Sequence, residues 1–252
     1  MIGYGIMSKI ISLVRTRDEE LDIARHCKQH DFADLILVAD GGSSDRTIEI
    51  AKQFSNVKVR AFRELVLLKQ GYTRNPDYAH LNFLFEWAEE EGADWIVLDD
   101  CDTNPNYLLR QNARMIIEGA DEFSYLGVQA RQVFLWENNQ WFPEMDSQKY
   151  WAWRADLRIR AYGEIPHYSL KALAKGDWGI GADGIFFDFD KNDTIDLDLP
   201  YCRIHTVWES REKADKQAEV YIKSGIVPED TRFPTEFAGE PAPRERWIKY
   251  ED

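Results

Sequence analysis

The chain has 252 residues, 44% hydrophobic and 30% charged, the composition of a folded globular protein with one sizeable core. Its formal charge of −14 argues against a nucleic-acid partner, because no basic face can dominate phosphate attraction, although a local basic pocket for one nucleotide stays open. Cys27, Cys101 and Cys202 form no CxxC pair, which indicates neither a zinc cluster nor a disulfide framework and fits a reducing compartment.

Met1 to Val14 is mildly apolar but interrupted by Tyr4, Ser8 and Lys9, so it does not read as a signal peptide. No stretch reaches the roughly 20 apolar residues of a membrane span. The expectation is a cytoplasmic chain with no transmembrane segment.

The first 120 residues alternate strand and helix signals. Ile10 to Val14 is β-branched and apolar, and Glu19 to His30 carries a helical stripe of Leu21, Ile23, Ala24 and Cys27. Leu35 to Ala39 is a continuous apolar run, as for a strand covered on both faces. Ser43, Ser44 and Asp45 are capping residues ahead of a helix over Thr47 to Phe54. Val57 to Phe62 alternates like a strand, and Tyr78 to Glu90 reads as helix with Leu81, Leu84, Phe85 and Ala88 on one side. Trp95 to Leu98 is a second buried strand, followed by a helix over Tyr107 to Glu118. This β-α-β-α order predicts parallel strands with right-handed crossovers.

After about residue 122 the pattern changes. Tyr125 to Trp136 and the run from Trp141 read as two strands joined by a polar turn at Glu137 to Gln140. Ile185 to Pro200 alternates aromatics with aspartates, and Tyr201 to Ile204 leads to His205. Arg211 to Ser224 reads as a charged helix, and the segment from Pro228 as an extended surface tail.

Two acidic stretches carry the chemistry, Asp40-Gly41-Gly42-Ser43-Ser44-Asp45-Arg46-Thr47 and Asp99-Asp100-Cys101-Asp102. Each follows an apolar strand, where ligands of open α/β sheets gather. Residues i and i+2 of an extended chain point the same way, so Asp100 and Asp102 can face one divalent cation carrying phosphate oxygens. The bland alternative is an acidic loop capping the next helix, with Asn104 and Pro105 opening it. Gly41 and Gly42 permit close ligand approach, or simply make a well-capped βα turn.

The segment Ile36 to Phe54, ILVADGGSSDRTIEIAKQF, resembles the nucleotide-binding segment of family 2 glycosyltransferases of the GT-A fold. Arg15-Thr16-Arg17-Asp18-Glu19-Glu20 resembles that family's first-strand exit, where Asn-Glu-Glu is usual. Trp95 to Asp102 resembles its metal motif, and His205 to Glu212 its late His-x-x-x-x-S-x-E segment. The four motifs run in order over about residues 8 to 225.

The resemblance implies a single GT-A domain over 1–225 and an extended tail over 226–252. Its central sheet would be mixed, with a parallel nucleotide-binding half (about 8–120) and antiparallel additions in an acceptor-shaping half (about 121–225). It implies that Asp40 accepts from a nucleobase, with Arg15 and Arg17 beside it. Asp100 and Asp102 would hold Mn²⁺ or Mg²⁺ on the donor pyrophosphate, Asp100 nearer the ribose, with His205 as a further ligand. Arg74 would be a diphosphate contact. The implied partners are a nucleotide-sugar donor, UDP- first and GDP- as the alternative, and a carbohydrate or other hydroxyl acceptor. Gly41 departs from the family by replacing its second aspartate, and Asp18 by replacing its asparagine.

Inverting transfer needs one carboxylate base. Asp183 and Asp146 stand equal as candidates, with Asp177 nearby. The tryptophans Trp136, Trp141, Trp151, Trp153 and Trp178 offer an acceptor platform, or more commonly core. Asp188 to Asp193 begins like an EF-hand loop but lacks its glycine and its bidentate glutamate. Two rivals stay open. One is a haloacid-dehalogenase-like phosphatase with Asp100 as nucleophile, although Thr103 comes one place early for that motif. The other is a non-catalytic nucleotide-sugar or carbohydrate-binding module. A sugar nucleotidyltransferase would need a glycine-rich first turn that this chain lacks.

Overall fold

The computed structural model describes residues 7–67, 73–136, 140–141, 147–164, 167–172, 193–208 and 248–249. The first half contains β1 (Ile10–Thr16), α1 (Ile23–Gln29), β2 (Leu35–Asp40), α2 (Thr47–Ala51) and β3 (Val57–Ala61). It continues through β4 (Val66–Leu67), β5 (Thr73–Arg74), α3 (Asp77–Glu90), β6 (Trp95–Leu98), β7 (Thr103–Pro105) and α4 (Tyr107–Glu122). The second half adds β8 (Gly127–Trp136), β9 (Gln140–Trp141), β10 (Ser147–Arg154), β11 (Ile159–Glu164), β12 (His167–Ala172), β13 (Thr194–Trp208) and β14 (Ile248–Lys249).

Strands β3, β2, β1 and β6 lie side by side and all run parallel. Beyond β6 the sheet continues through β10 and β8, each antiparallel to its predecessor. Along β8 lies β13, which also pairs antiparallel with the short β7. A parallel half with antiparallel additions is the mixed Rossmann-like sheet that the resemblance implied. The chain runs outward from β1 through β2 to β3, then returns to place β6 on the other side of β1. The carboxyl ends of β1 and β6 therefore frame a switch point, where such sheets open a crevice.

Alternation along β1 serves both faces. Ile11 and Leu13 pack with Leu81, Leu84, Phe85 and Ala88, the α3 stripe read from the sequence. On the other face, Ile10 meets α4 through Leu109, Ala113 and Ile117, and Val14 meets Ile23 and Cys27 of α1. Trp151 and Trp153 of β10 are fully buried. They are core, and the acceptor-platform reading is withdrawn for both.

Several boundaries differ from expectation. Helix α1 begins at Ile23 rather than Glu19; ahead of it the Glu19 amide donates to Oγ1 of Thr47, the first residue of α2, and the Glu20 amide to Asp45 on the loop before α2. Helix α2 ends at Ala51, three residues early. Asn104 and Pro105 do not open a helix. They form β7, and Asn106 caps α4 by accepting from the Leu109 amide at 2.9 Å. The polar turn after β8 agrees with the antiparallel pairing of Leu135 with Trp141 and Trp136 with Gln140. The expected helix over Arg211 to Ser224 lies outside the described residues, as does the tail except for β14, which pairs with β9.

Candidate active site at the sheet switch point

Arg15, near the end of β1, reaches toward β6. One guanidinium nitrogen lies 2.7 Å from Asp100 Oδ1 and the other 3.0 Å from Asp77 Oδ1, at the start of α3. Partial desolvation opposes ionisation of Asp100, but Arg15, with His205 and Arg203 beyond it, holds the carboxyl down at about 2. Asp100 is thus an anion locked to a cation at the mouth of the crevice.

Asp40 ends β2, opposite Thr16 of β1. Its carboxylate accepts from the amides of Gly42 and Ser43 at 3.0 and 3.1 Å, and from the Ser43 hydroxyl. This local network closes the turn, with Gly42 at φ +96°. Asp18 knits the neighbouring loop to it by accepting from the Ser44 amide at 2.7 Å. A Cβ at Gly41 would lie 2.1 Å from Asn75 Oδ1, so any side chain there requires the Asn75 amide to move. The amide of Asn75 fills the space beside the position where the family carries its second aspartate. Arg17 donates to the Thr73 carbonyl at 3.1 Å, and Arg74 follows in β5.

Strand β13 brings His205 to the acidic loop. His205 pairs in register with Thr103, and the Thr206 amide donates to the Asp102 carbonyl at 2.8 Å. His205 Nε2 then stands 3.7 Å from Asp102 Oδ2, beyond hydrogen-bond length. Among the described residues no group of three or more His, Cys, Asp or Glu side chains forms a closed metal cage. Asp102 and His205 nonetheless offer carboxylate and imidazole side by side, a donor set that suits Mn²⁺ or Mg²⁺ when phosphate oxygens complete its shell.

Beneath the loop lies a buried polar network that the sequence reading passed over. Asp99 is fully buried and ion-paired with Arg203 of β13, whose Nε donates to Asp99 Oδ1 at 2.6 Å. The Trp151 indole donates to Asp99 Oδ2 at 3.1 Å. Burial pushes the Asp99 carboxyl up to about 7, against the pull of Arg203 and Trp151. His30 Nδ1 meets the Ser12 hydroxyl at 2.8 Å, and its ring stacks on His26 at 4.1 Å. Burial keeps both rings neutral, with His26 lowered to about 3. The available signal was the two-residue spacing of Arg203 and His205, which puts both on one face of a strand leading to the acidic loop.

The structure thus brings Arg15, Asp100, Asp102 and His205 to one edge, with Asp40 at the adjacent strand exit. Asp146 and Asp183 lie outside the described residues, as do Asp177 and Trp178.

No family model matches the chain, and no curated protein matches its sequence. Solved structures resemble its fold. TarS residues 1–349 from S. aureus is 14% identical, with a TM-score of 0.43 over 89% of this chain and 67% of that one. Glucosyl-3-phosphoglycerate synthase from Mycobacterium tuberculosis, in complex with Mn²⁺, UDP and glucosyl-3-phosphoglycerate, is 17% identical, with a TM-score of 0.36 over 50% of this chain and 44% of that one. A 4-diphosphocytidyl-2C-methyl-D-erythritol synthase is 14% identical, with a TM-score of 0.39 over 60% of this chain and 78% of that one. The chain spans 22% of a longer TarS structure.

Proposed function

We propose that this chain transfers a sugar from a nucleoside-diphosphate-sugar to a hydroxyl acceptor, with inversion at the anomeric carbon. The observation that supports it best is the meeting of Arg15, Asp100, Asp102 and His205 at the carboxyl edge of β1, β6 and β13, beside the Asp40 turn. Asp102 and His205 would hold Mn²⁺ or Mg²⁺, with Asp100 beside them. When bound, the cation would offset the charge that develops on the departing diphosphate.

This chain's own residues supply the rest. The Asp40 turn faces the nucleoside side of the crevice, with UDP favoured over GDP. Arg15 fixes Asp100 so that its orientation is set before substrate arrives, and Arg74 contacts the diphosphate. During transfer the acceptor oxygen bonds to the anomeric carbon as the carbon–phosphate oxygen bond breaks. The acceptor proton passes to a carboxylate, for which Asp183 and Asp146 remain the candidates.

The test is release of nucleoside diphosphate from a panel of UDP- and GDP-sugars with Mn²⁺ and acceptor sugars. Wild-type protein should turn over one donor, and Asp102→Ala should lose that turnover by at least about 100-fold. Whichever of Asp183→Asn and Asp146→Asn removes the base should lose turnover while keeping donor affinity. Undiminished turnover by Asp102→Ala would refute the metal assignment.

A further inference from the structure

Three cations crowd the edge beside Asp100, and two of them are committed. Arg15 is paired with Asp77 and Asp100, and Arg203 with Asp99. The third is Lys149, near the start of β10. Strand β10 pairs with β6 through Ala152 and Val97, and three residues beyond that pair stand Lys149 on β10 and Asp100 on the loop just past the end of β6. Between them β10 is irregular at Trp151, the kind of bulge that re-aims side chains near a site.

Lys149 is half-buried, and its ammonium lies 6.0 Å from the Phe134 ring centroid. That ring is in turn 4.9 Å from the ring of His205. Among the described residues no carboxylate forms an ion pair with Lys149. Burial and the Arg203 charge press its pKa down, while Asp100 draws it back. An ammonium sheltered from water without an anionic partner is costly to keep. An anionic ligand entering between Asp102, His205 and Lys149 would remove that cost.

We propose that Lys149 binds the diphosphate of the nucleotide donor, as a cationic contact across the Phe134 ring contacts from the Asp102–His205 pair. This rests on the function proposed above. A nucleoside diphosphate carries more negative charge than one divalent cation neutralises, and an ammonium binds phosphate oxygens as a compact point charge. Lys149 is thereby the group whose loss weakens recognition of phosphate and spares recognition of the nucleoside.

The test is calorimetric titration of wild type, Lys149→Met and Lys149→Arg with UDP and GDP, and with uridine and guanosine, all in Mn²⁺. The expected result is a loss of about tenfold or more in diphosphate affinity for Lys149→Met. Nucleoside affinity should be unchanged, and Lys149→Arg should stay within about threefold of wild type because it retains the positive charge. Equal diphosphate binding by wild type and Lys149→Met would overturn the assignment while leaving the proposed function standing. So would an equal loss of nucleoside and diphosphate affinity, which would mean that Lys149 acts through the fold. If wild type bound neither diphosphate, both this assignment and the proposed function would fall.

Discussion

Asp99, Asp100 and Asp102 share one short loop but meet different surroundings. Asp99 is buried against Arg203, Trp151 and His30. Asp100 is more than half exposed and held by Arg15, and Asp102 is partly exposed beside His205. Removing one member of a buried ion pair strands its partner's charge, at a cost of about 3–5 kcal/mol. Exposed pairs contribute about 0–1 kcal/mol. In urea unfolding at about pH 8, where Asp99 is ionised, Asp99→Ala should therefore lose about 3–5 kcal/mol, while Asp100→Ala and Asp102→Ala stay within about 1 kcal/mol of wild type. Equal costs for all three would contradict this division between one buried, structural carboxylate and two at the candidate site. The sequence reading named Asp100 and Asp102 because strand alternation puts them on one side. Asp99 was not legible as structural, since its partner lies 104 residues away on β13.

At the scale of elements, the Asp40 turn depends on one close contact. An alanine Cβ at position 41 would lie 2.1 Å from Asn75 Oδ1 and 2.8 Å from its Cγ. Asn75 is buried and donates to the Glu64 carbonyl, so it cannot swing away without losing that bond. Gly41→Ala should cost about 1–3 kcal/mol by overpacking. Asn75→Ala in the same chain should recover part of that loss, which a double-mutant cycle would detect as coupling. Strictly additive costs would contradict the contact. The long strands and α3 were readable because their apolar periodicity extends over several residues. The start of α1 was not, because Glu19 and Glu20 are tied across the turn to Thr47 and Asp45, a contact between distant residues that leaves no local period. The strand identity of Thr103–Pro105 was hidden for a similar reason. Three residues carry no period, and only β13, far along the chain, makes them a strand.

Across the whole molecule, buried histidines tie stability to pH. His26 and His80 are each lowered to about 3 by burial, and His30 is lowered well below its ordinary value. Each remains neutral in the folded state while the unfolded chain protonates below about 6.5. Their contribution is full above that value and is lost as pH falls toward 3, at up to about 1.4 kcal/mol per unit for each ring. Asp99, raised to about 7, acts in the opposite direction by holding a proton that the unfolded chain releases, but it is one group against three. Unfolding free energy should therefore fall steadily from pH 6.5 to 5, and His80→Gln should flatten the slope. A flat profile in wild type over that range would contradict the neutral assignment. The parallel half and its motifs were legible because βα units are local. The placement of β10 between β6 and β8, which delivers Lys149 and Trp151 to the edge of the site, is a long-range event with no local signature. The central claim is that this edge binds a nucleoside diphosphate through a divalent cation, and the most direct measurement is titration of the wild-type protein with UDP and GDP, each in Mn²⁺ and in EDTA. Saturable binding of one nucleotide that disappears in EDTA is the predicted result. Binding unchanged by EDTA, or no binding of either nucleotide by the folded protein, would contradict it.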